Sequence, residues 1–600
     1  MDAQKNKSAE HPPGELNAAQ RGVIAASIAI FLVALAVRAA FLYATPDRSW
    51  PQSVLYEGDA PLWIRYAQAI RAGKPFELNL PIHAPGLAYA LAFLWPGSLE
   101  GPATGQGFIA LKVVWCAMGA ASCGGLFLVA RDMFNARIAV VAALLSALSF
   151  ALTIQSTSLN NEAPYTLLLI FLVGLTGSVA ARPNRWRLVV WAVMNALAAL
   201  VRAEHTLLVV LWGAWLAWHW RSDGTSQAAG AQSRGVVSAR SENRASGARV
   251  GPWIVVNRLA LMGAIFVIAP LPWNVRAYRA IQRFNETTAG PIDYPGAPVA
   301  WRPDAQAYLE DLPAFVREPC FRVISEQARA ASREEVDKPF VQAFFSEQMR
   351  YVPRPLSPYV FISAQGPLAF ALANRPGGDG GFSTEPLGGA DTLNFADPRH
   401  LRLVQDGYRV GWENLTRPGE ARRLITSKLS LFAAGWTHGL MLTNWPAGLV
   451  GTRRPVDQFA ADNIPPGWST AVLGLGMVGA GICLLRRRGG VWILVVVYKL
   501  VIAAAFFGYA RQAVSILPVL YVLVAAALDT LLLRHVAKWF VGWPGRLKLT
   551  ALGASIGLLL MNQAGRRIDY DVIGDAVSAP QWGRGAFESH EPLRIELVFR

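Results

Sequence analysis

Long apolar runs constrain the fold of this chain more than any other feature. Runs of about 20 apolar residues can cross a bilayer as helices, because a helix satisfies its own backbone hydrogen bonds in lipid. Such runs lie at 22–44, 107–130, 138–155, 163–181, 187–202, 203–220, 256–272, 467–485, 490–508, 513–533 and 547–562. The pattern predicts an all-α polytopic membrane protein with about 11 spans.

Two weaker apolar pieces, 359–373 and 429–446, leave a second span count open. The alternation of basic connections allows both pieces to cross or neither, so the alternative is about 13 spans. We interpret both pieces as interfacial and prefer the count of about 11.

The charge distribution predicts the orientation. The chain is 53% hydrophobic and 16% charged, with a formal net charge of +16. The Arg and Lys residues cluster in short connections between apolar runs, as the positive-inside rule expects of cytoplasmic loops. The positive charge therefore reflects topology, and we predict no nucleic-acid partner.

This topology predicts five segments along the chain. They are a cytoplasmic tail at 1–21, an N-terminal transmembrane catalytic module at 22–272 with an external loop at 45–106, an external and mostly helical segment at 273–466, C-terminal transmembrane helices at 467–562, and an external tail at 563–600.

The first external loop carries a candidate catalytic acid. Asp59 precedes Ala60-Pro61, and Gly73 follows the next apolar pattern, so a short helix is predicted to begin at Asp59. Lys74 and His83 follow in the same loop. Taken alone, Asp59 is more often a helix cap than a base.

Other polar residues are predicted to reach the same membrane face from separate connections. They are Glu162, the group Arg202, Glu204 and His205, then Arg276 and Arg511. Each has a simpler interpretation: Glu162 could cap a helix, an arginine could anchor lipid headgroups, and Glu204 could be its salt-bridge partner. Lys499 lies within a span, and Asp529, one span over, is a candidate partner. The convergence of these segments on one face is the stronger signal.

Several motifs carry a resemblance to a known family. They are EGDAPLW, LPIHAPG, NNEAPYTLLL, LVRAEHTLL, PLPWNVRAY and GYARQAVSILP. Together they resemble the GT-C type of integral membrane glycosyltransferases, and above all glycosyltransferase family 39. Its bacterial relatives include protein O-mannosyltransferases and lipid A aminoarabinose transferases. The resemblance implies a GT-C-like transmembrane helix bundle.

The resemblance also implies an activity. The expected reaction moves a sugar from a polyprenyl-phosphate donor to an acceptor hydroxyl on the external face, with inversion. Asp59 would be the general base. The expected substrate-binding residues are Lys74, His83, Glu162, Arg202, Glu204, His205, Arg276 and Arg511. No cofactor is certain, and a divalent metal held by Asp59 and Glu162 stays open.

The expected partners are the lipid-linked donor, membrane lipids, and a lipid, polysaccharide or protein acceptor. The expected location is the bacterial cytoplasmic (inner) membrane, with the active site facing the periplasm or exterior. The alternatives are a transporter or flippase of lipid-linked sugars, and a glycan polymerase or ligase. A transporter needs acids and cations near the bilayer midplane, whereas most polar residues here lie at one face.

Overall fold

The structure is a computed structural model of the chain. The residues that it describes are 18–44, 46–51, 53, 59–76, 80–95, 105–232, 251–286, 299–381, 385–387, 393, 395, 397–436, 468–486, 489–508 and 510–533. The predicted last span at 547–562, the tail at 563–600 and most of the tail at 1–21 lie outside these residues.

The described chain is built almost entirely from helices, which confirms the predicted fold class. The first eleven are α1 Ala18–Ala44, α2 Ala60–Arg71, α3 Gly86–Leu94, α4 Gly105–Met133, α5 Ala136–Leu148, α6 Phe150–Gln155, α7 Glu162–Ala181, α8 Arg185–Val201, α9 His205–Gln232, α10 Pro252–Ile268 and α11 Leu271–Glu286. The others are α12 Pro303–Glu310, α13 Ala314–Ala330, α14 Lys338–Ala343, α15 Gln365–Ala373, α16 Pro398–Leu415, α17 Glu420–Ala434, α18 Trp468–Leu485, α19 Gly490–Ala505, α20 Ala510–Val514 and α21 Leu517–Leu528.

Three described helices are long and apolar enough to cross a membrane alone: Gln20–Tyr43, Gly107–Met133 and Glu162–Ala181. The pair α10 and α11 would be a fourth span, bent by 49°. Shorter apolar helices lie at Ala136–Leu148, Thr470–Leu485, Gly490–Ala505 and Leu517–Leu532. The chain is a multi-pass membrane protein, and the span count of about 11 stays a prediction.

One predicted span is divided in the structure. The run at 138–155 forms α5 and α6, which meet at Ser149. Ser149 has an extended backbone, and its side chain accepts a hydrogen bond from the backbone N–H of Leu152. A serine that caps a new helix in this way interrupts the preceding one. Apolar content alone could not reveal the break.

Most of the apolar helices share one core, and very close contacts join helices both within this core and beside it. A Cβ atom built on Gly479 of α18 would lie 1.8 Å from the carbonyl oxygen of Leu523 on α21. A Cβ atom on Gly86 of α3 would lie 2.7 Å from the carbonyl oxygen of Leu200, at the end of α8. Small residues allow such helix contacts in membranes. The second contact places the first external loop beside Arg202.

The segment at 273–466, which is predicted to be external and is called the external segment below, has a core that is separate from that of the transmembrane helices and that Leu80 joins. Its centre is formed by Leu309, Cys320, Ile324, Phe345 and Leu401, which are all buried. The segment is mostly helical as described. It also contains two short parallel strands, β1 Ala300–Trp301 and β2 Glu335–Val336, which pair Ala300 with Glu335.

Candidate active site

Six side chains of alternating charge form a continuous series, which we call the charged chain. Its members are Asp59, Arg511, Glu162, Arg202, Glu204 and Lys499. The successive nitrogen–oxygen distances are 2.6 Å, 3.9 Å, 3.7 Å, 3.0 Å and 2.8 Å. The predicted convergence of separate segments is thus present in the structure for five of the predicted residues, and Lys499 joins them.

Asp59 stands at one end of the charged chain, immediately before α2. The predicted helix start is confirmed, but the Asp59 side chain makes no capping hydrogen bond. Its carboxylate instead accepts a hydrogen bond from Arg511. Its backbone N–H donates to the Asn160 side chain at 2.9 Å. The carbonyl of Asn160 in turn accepts from the Trp115 indole. These bonds fix Asp59 against the connection that leads into α7.

Glu162 lies at the centre of the charged chain, in the first turn of α7. Its side chain is only 1% exposed, and it lies between Arg202 and Arg511. Among the described residues, neither carboxylate oxygen of Glu162 has a hydrogen-bond partner. A buried carboxylate without hydrogen bonds is costly unless cations neutralise it. The two arginines supply that charge.

Arg202 and Glu204 occupy the turn between α8 and α9. Arg202 also lies over the Tyr165 ring, at 5.3 Å from its centroid. Lys499 of α19 lies over the same ring at 5.3 Å. The Tyr165 ring is therefore flanked by two cations of the charged chain, an arrangement that favours both through cation–π attraction.

The partner suggested for Lys499 in the sequence analysis was wrong. Asp529 accepts a hydrogen bond from Arg137 at 2.7 Å, and from Asn135. Lys499 is fully buried and donates to Glu204 instead. Hydropathy placed Lys499 and Asp529 in neighbouring spans, but it could not predict which neighbouring segment each side chain would contact.

His205 lies in the interior, beside the charged chain. Its Nδ1 is 3.0 Å from the Tyr165 hydroxyl, and its Nε2 is 2.9 Å from the Asn195 side chain. Both ring nitrogens are thus engaged within the protein, and the side chain is fully buried. These contacts fix the start of α9 and the orientation of Tyr165.

Arg276 joins an aromatic cluster of the first external loop. Its guanidinium lies 5.0 Å from the Trp273 ring centroid and 5.3 Å from that of Phe76. His83 packs against the same cluster, at 5.7 Å from the Trp63 ring. Arg276 and His83 therefore pack against a buried aromatic cluster rather than within the charged chain.

Lys74 follows the end of α2 and is exposed. In the described residues it has no ion pair with the charged chain. The long, flexible lysine side chain can therefore reach a ligand bound near the loop.

A metal site is not evident in the part of the chain that is described. No group of three or more His, Cys, Asp or Glu residues there is arranged to hold a metal ion. Asp59 and Glu162, the two acids proposed from the sequence, both face Arg511. A divalent cation would have to compete with that guanidinium.

These features define a class: a multi-pass helical membrane protein with a charged chain beside a buried aromatic cluster. Residues 89–230 match the family model described as dolichyl-phosphate-mannose-protein mannosyltransferase. This match confirms the resemblance to glycosyltransferase family 39 and supports a membrane glycosyltransferase of the GT-C type. It covers Glu162, Arg202, Glu204 and His205, whereas Asp59 lies before it. No curated protein matches the chain.

Solved structures similar to this chain include two of an archaeal oligosaccharyltransferase from Archaeoglobus fulgidus. The apo form has 13% identity and a TM-score of 0.39, over 90% of this chain and 56% of that one. The complex with an inhibitory peptide and a dolichol-phosphate, named AglB, has 14% identity and a TM-score of 0.37, over 92% and 56%. The chain thus spans about 56% of the length of these structures.

Proposed function

We propose that this protein transfers a sugar from a polyprenyl-phosphate donor to an acceptor hydroxyl, with inversion at the anomeric carbon. The observation that carries the proposal is the placement of Asp59, which is 32% exposed, at the end of the charged chain and in an ion pair with Arg511. The reaction needs a base and fixed cations close together. The proposed location is the external face of a bacterial cytoplasmic membrane.

Asp59 is the proposed general base. The acceptor hydroxyl gives its proton to the Asp59 carboxylate as its oxygen forms a bond to the anomeric carbon. The bond between that carbon and the phosphate oxygen breaks, and its electron pair stays on the phosphate. Attack opposite the leaving group inverts the configuration. The Asp59 side chain is 32% exposed, so an acceptor can reach it.

Arg511 is the proposed main contact for the donor phosphate. A guanidinium binds phosphate oxygens through paired donors, and it stabilises the charge that grows as the phosphate leaves. Arg511 already bridges Asp59 and Glu162, so a phosphate bound there would lie next to the proposed base. Arg202 reinforces the positive charge from the other side of Glu162.

The remaining proposed binding residues have supporting places. Arg276 and His83, which are only partly buried at the edge of the aromatic cluster, would contact the sugar or the acceptor through their side-chain nitrogens. Lys74 would reach the phosphate from the exposed end of α2. Glu204 and His205 would hold Arg202 and Tyr165 in position, on the contacts described above. The lipid tail would remain between the transmembrane helices.

The test is transfer by the purified protein in liposomes with radiolabelled polyprenyl-phosphate sugars. Label that moves onto a lipid, polysaccharide or protein acceptor supports the proposal and identifies the acceptor class. Label that crosses the bilayer without transfer would overturn it in favour of a flippase. A product that lengthens by repeated sugar units would indicate a polymerase.

A further inference from the structure

The end of α19, just before the segment that carries Arg511, is held by a buried lysine from the external segment. Lys428 of α17 is fully buried. Its ammonium donates to the Asn374 side chain at 2.6 Å and to the carbonyl oxygens of Ala504 and Ala505, each at 3.2 Å. An ammonium has three N–H donors, and here they meet three oxygens.

The charge makes this contact unusual. None of the three oxygens belongs to a carboxylate, so among the described residues the buried ammonium is balanced only by amide and carbonyl dipoles. Burying a cation in this way is costly, and an apolar side chain of the same length would avoid the cost. The position at the last carbonyls of α19 recovers part of it, because a helix C-terminus favours positive charge. Burial lowers the pKa of Lys428 to about 8, so it is mainly protonated at neutral pH.

The surrounding backbone packs against the same lysine. A Cβ atom on Gly508 would lie 2.1 Å from the Lys428 carbonyl oxygen, so this position tolerates only glycine without movement. The Gly508 backbone N–H donates to the carbonyl of Gly380, in the connection after α15. Asn374 adds a second donor to the Ala505 carbonyl at 3.0 Å. The external segment therefore contacts the chain from Ala504 to Gly508 at Ala504, Ala505 and Gly508.

Arg511 follows three residues after Gly508, on the short helix α20. We propose that Lys428 is a positioning residue for the donor site: it fixes the end of α19 so that Arg511 reaches Asp59 and the donor phosphate. This assigns a role to the external segment, which sequence motifs left without one. The inference rests on the proposed function, because it takes Arg511 as the phosphate contact.

The first test measures binding of a long-chain polyprenyl monophosphate to the full-length protein in detergent, with the matching polyprenol as the phosphate-free ligand. Lys428→Met should weaken phosphate-dependent binding by about tenfold or more. The matched control is Arg422→Met, which removes a cation from an exposed position on the same helix and should bind like the wild type. Wild-type binding by Lys428→Met would overturn the inference.

A double-mutant cycle separates positioning from general damage. In an Arg511→Ala background, Lys428→Met should change binding by less than about twofold, because the residue through which it acts is gone. An unchanged tenfold loss in that background would overturn the inference, since Lys428 would then act independently of Arg511.

Two further measurements keep the inference testable. If Lys428→Met does not fold, Gly508→Ala displaces the same backbone with the lysine intact. It should cause the same loss of phosphate-dependent binding, and normal binding would overturn the inference.

Hydrogen exchange of residues 506–516 should be faster in Lys428→Met than in Arg422→Met, and equal exchange would also overturn the inference. If the wild type binds polyprenol and its phosphate equally, the proposed function fails, while the exchange result still tests the contact.

Discussion

Arg511 donates a hydrogen bond to Asp59 at 2.6 Å, although the two residues are 452 positions apart in the chain. The ion pair joins the first external loop to the connection between the last described apolar helices. It orients the carboxylate, which a general base requires. A donor phosphate at Arg511 would compete for the same guanidinium and so release Asp59 toward the acceptor.

The first prediction concerns Asp59 as the base. Asp59→Asn keeps an oxygen that can accept from Arg511, but its neutral amide cannot take a proton. We expect normal insertion, nearly unchanged donor binding and transfer slower by roughly a hundredfold or more, measured as single-turnover rates. If Asp59→Asn transfers sugar at a near wild-type rate while Glu162→Gln loses transfer, Glu162 and not Asp59 is the general base.

The second prediction concerns Arg511 as the phosphate contact. Arg511→Lys keeps the charge but cannot bridge Asp59 and Glu162 with a planar fork of donors. Loss of one charge-assisted contact at a developing charge costs about 2–4 kcal/mol of transition-state stabilisation, which a fall in kcat/KM would report. Arg409→Lys is the matched control, because Arg409 is 57% exposed on α16. Equal rates in the two variants would make Arg511 an interface anchor.

The third prediction concerns topology. A cysteine at Asp379, whose side chain is 51% exposed, should react with a membrane-impermeant reagent added outside intact cells. A cysteine at Ser238, in the predicted cytoplasmic connection, should react only after permeabilisation. The native cysteines are all buried, which keeps the background low. The reverse labelling pattern would overturn the orientation and the external location of the site.

The fourth prediction concerns the pH dependence of stability. The pKa of Lys428 is lowered by burial from 10.5 to about 8, so between these values the folded state binds fewer protons than the unfolded state. The free energy of unfolding of the wild type should therefore rise with pH in this window, relative to Lys428→Met. Chemical denaturation in detergent at pH 7, 8, 9 and 10 measures the difference. A constant difference across this range would show that Lys428 keeps its ordinary pKa.

The sequence determined the local features of this protein. Apolar runs of sufficient length specify membrane helices because lipid offers no other partner for the backbone. The pattern Asp59-Ala60-Pro61 specified the start of α2, since proline and a short polar residue favour a first helical turn. The grouping of polar residues in connections on one predicted face also indicated which residues would converge, including Glu162 and Arg202.

Only the tertiary structure decided which residues pair. Lys499 binds Glu204 rather than Asp529, and Asp59 binds Arg511 rather than its own helix. Lys428 of α17 binds the end of α19, although 76 and 77 positions separate it from the two carbonyls it contacts. Such contacts depend on helix rotation and close packing, as at Gly479 and Gly508, where backbones approach too closely for any side chain. Residue spacing in the sequence does not predict these distances, because they arise only when distant segments pack together.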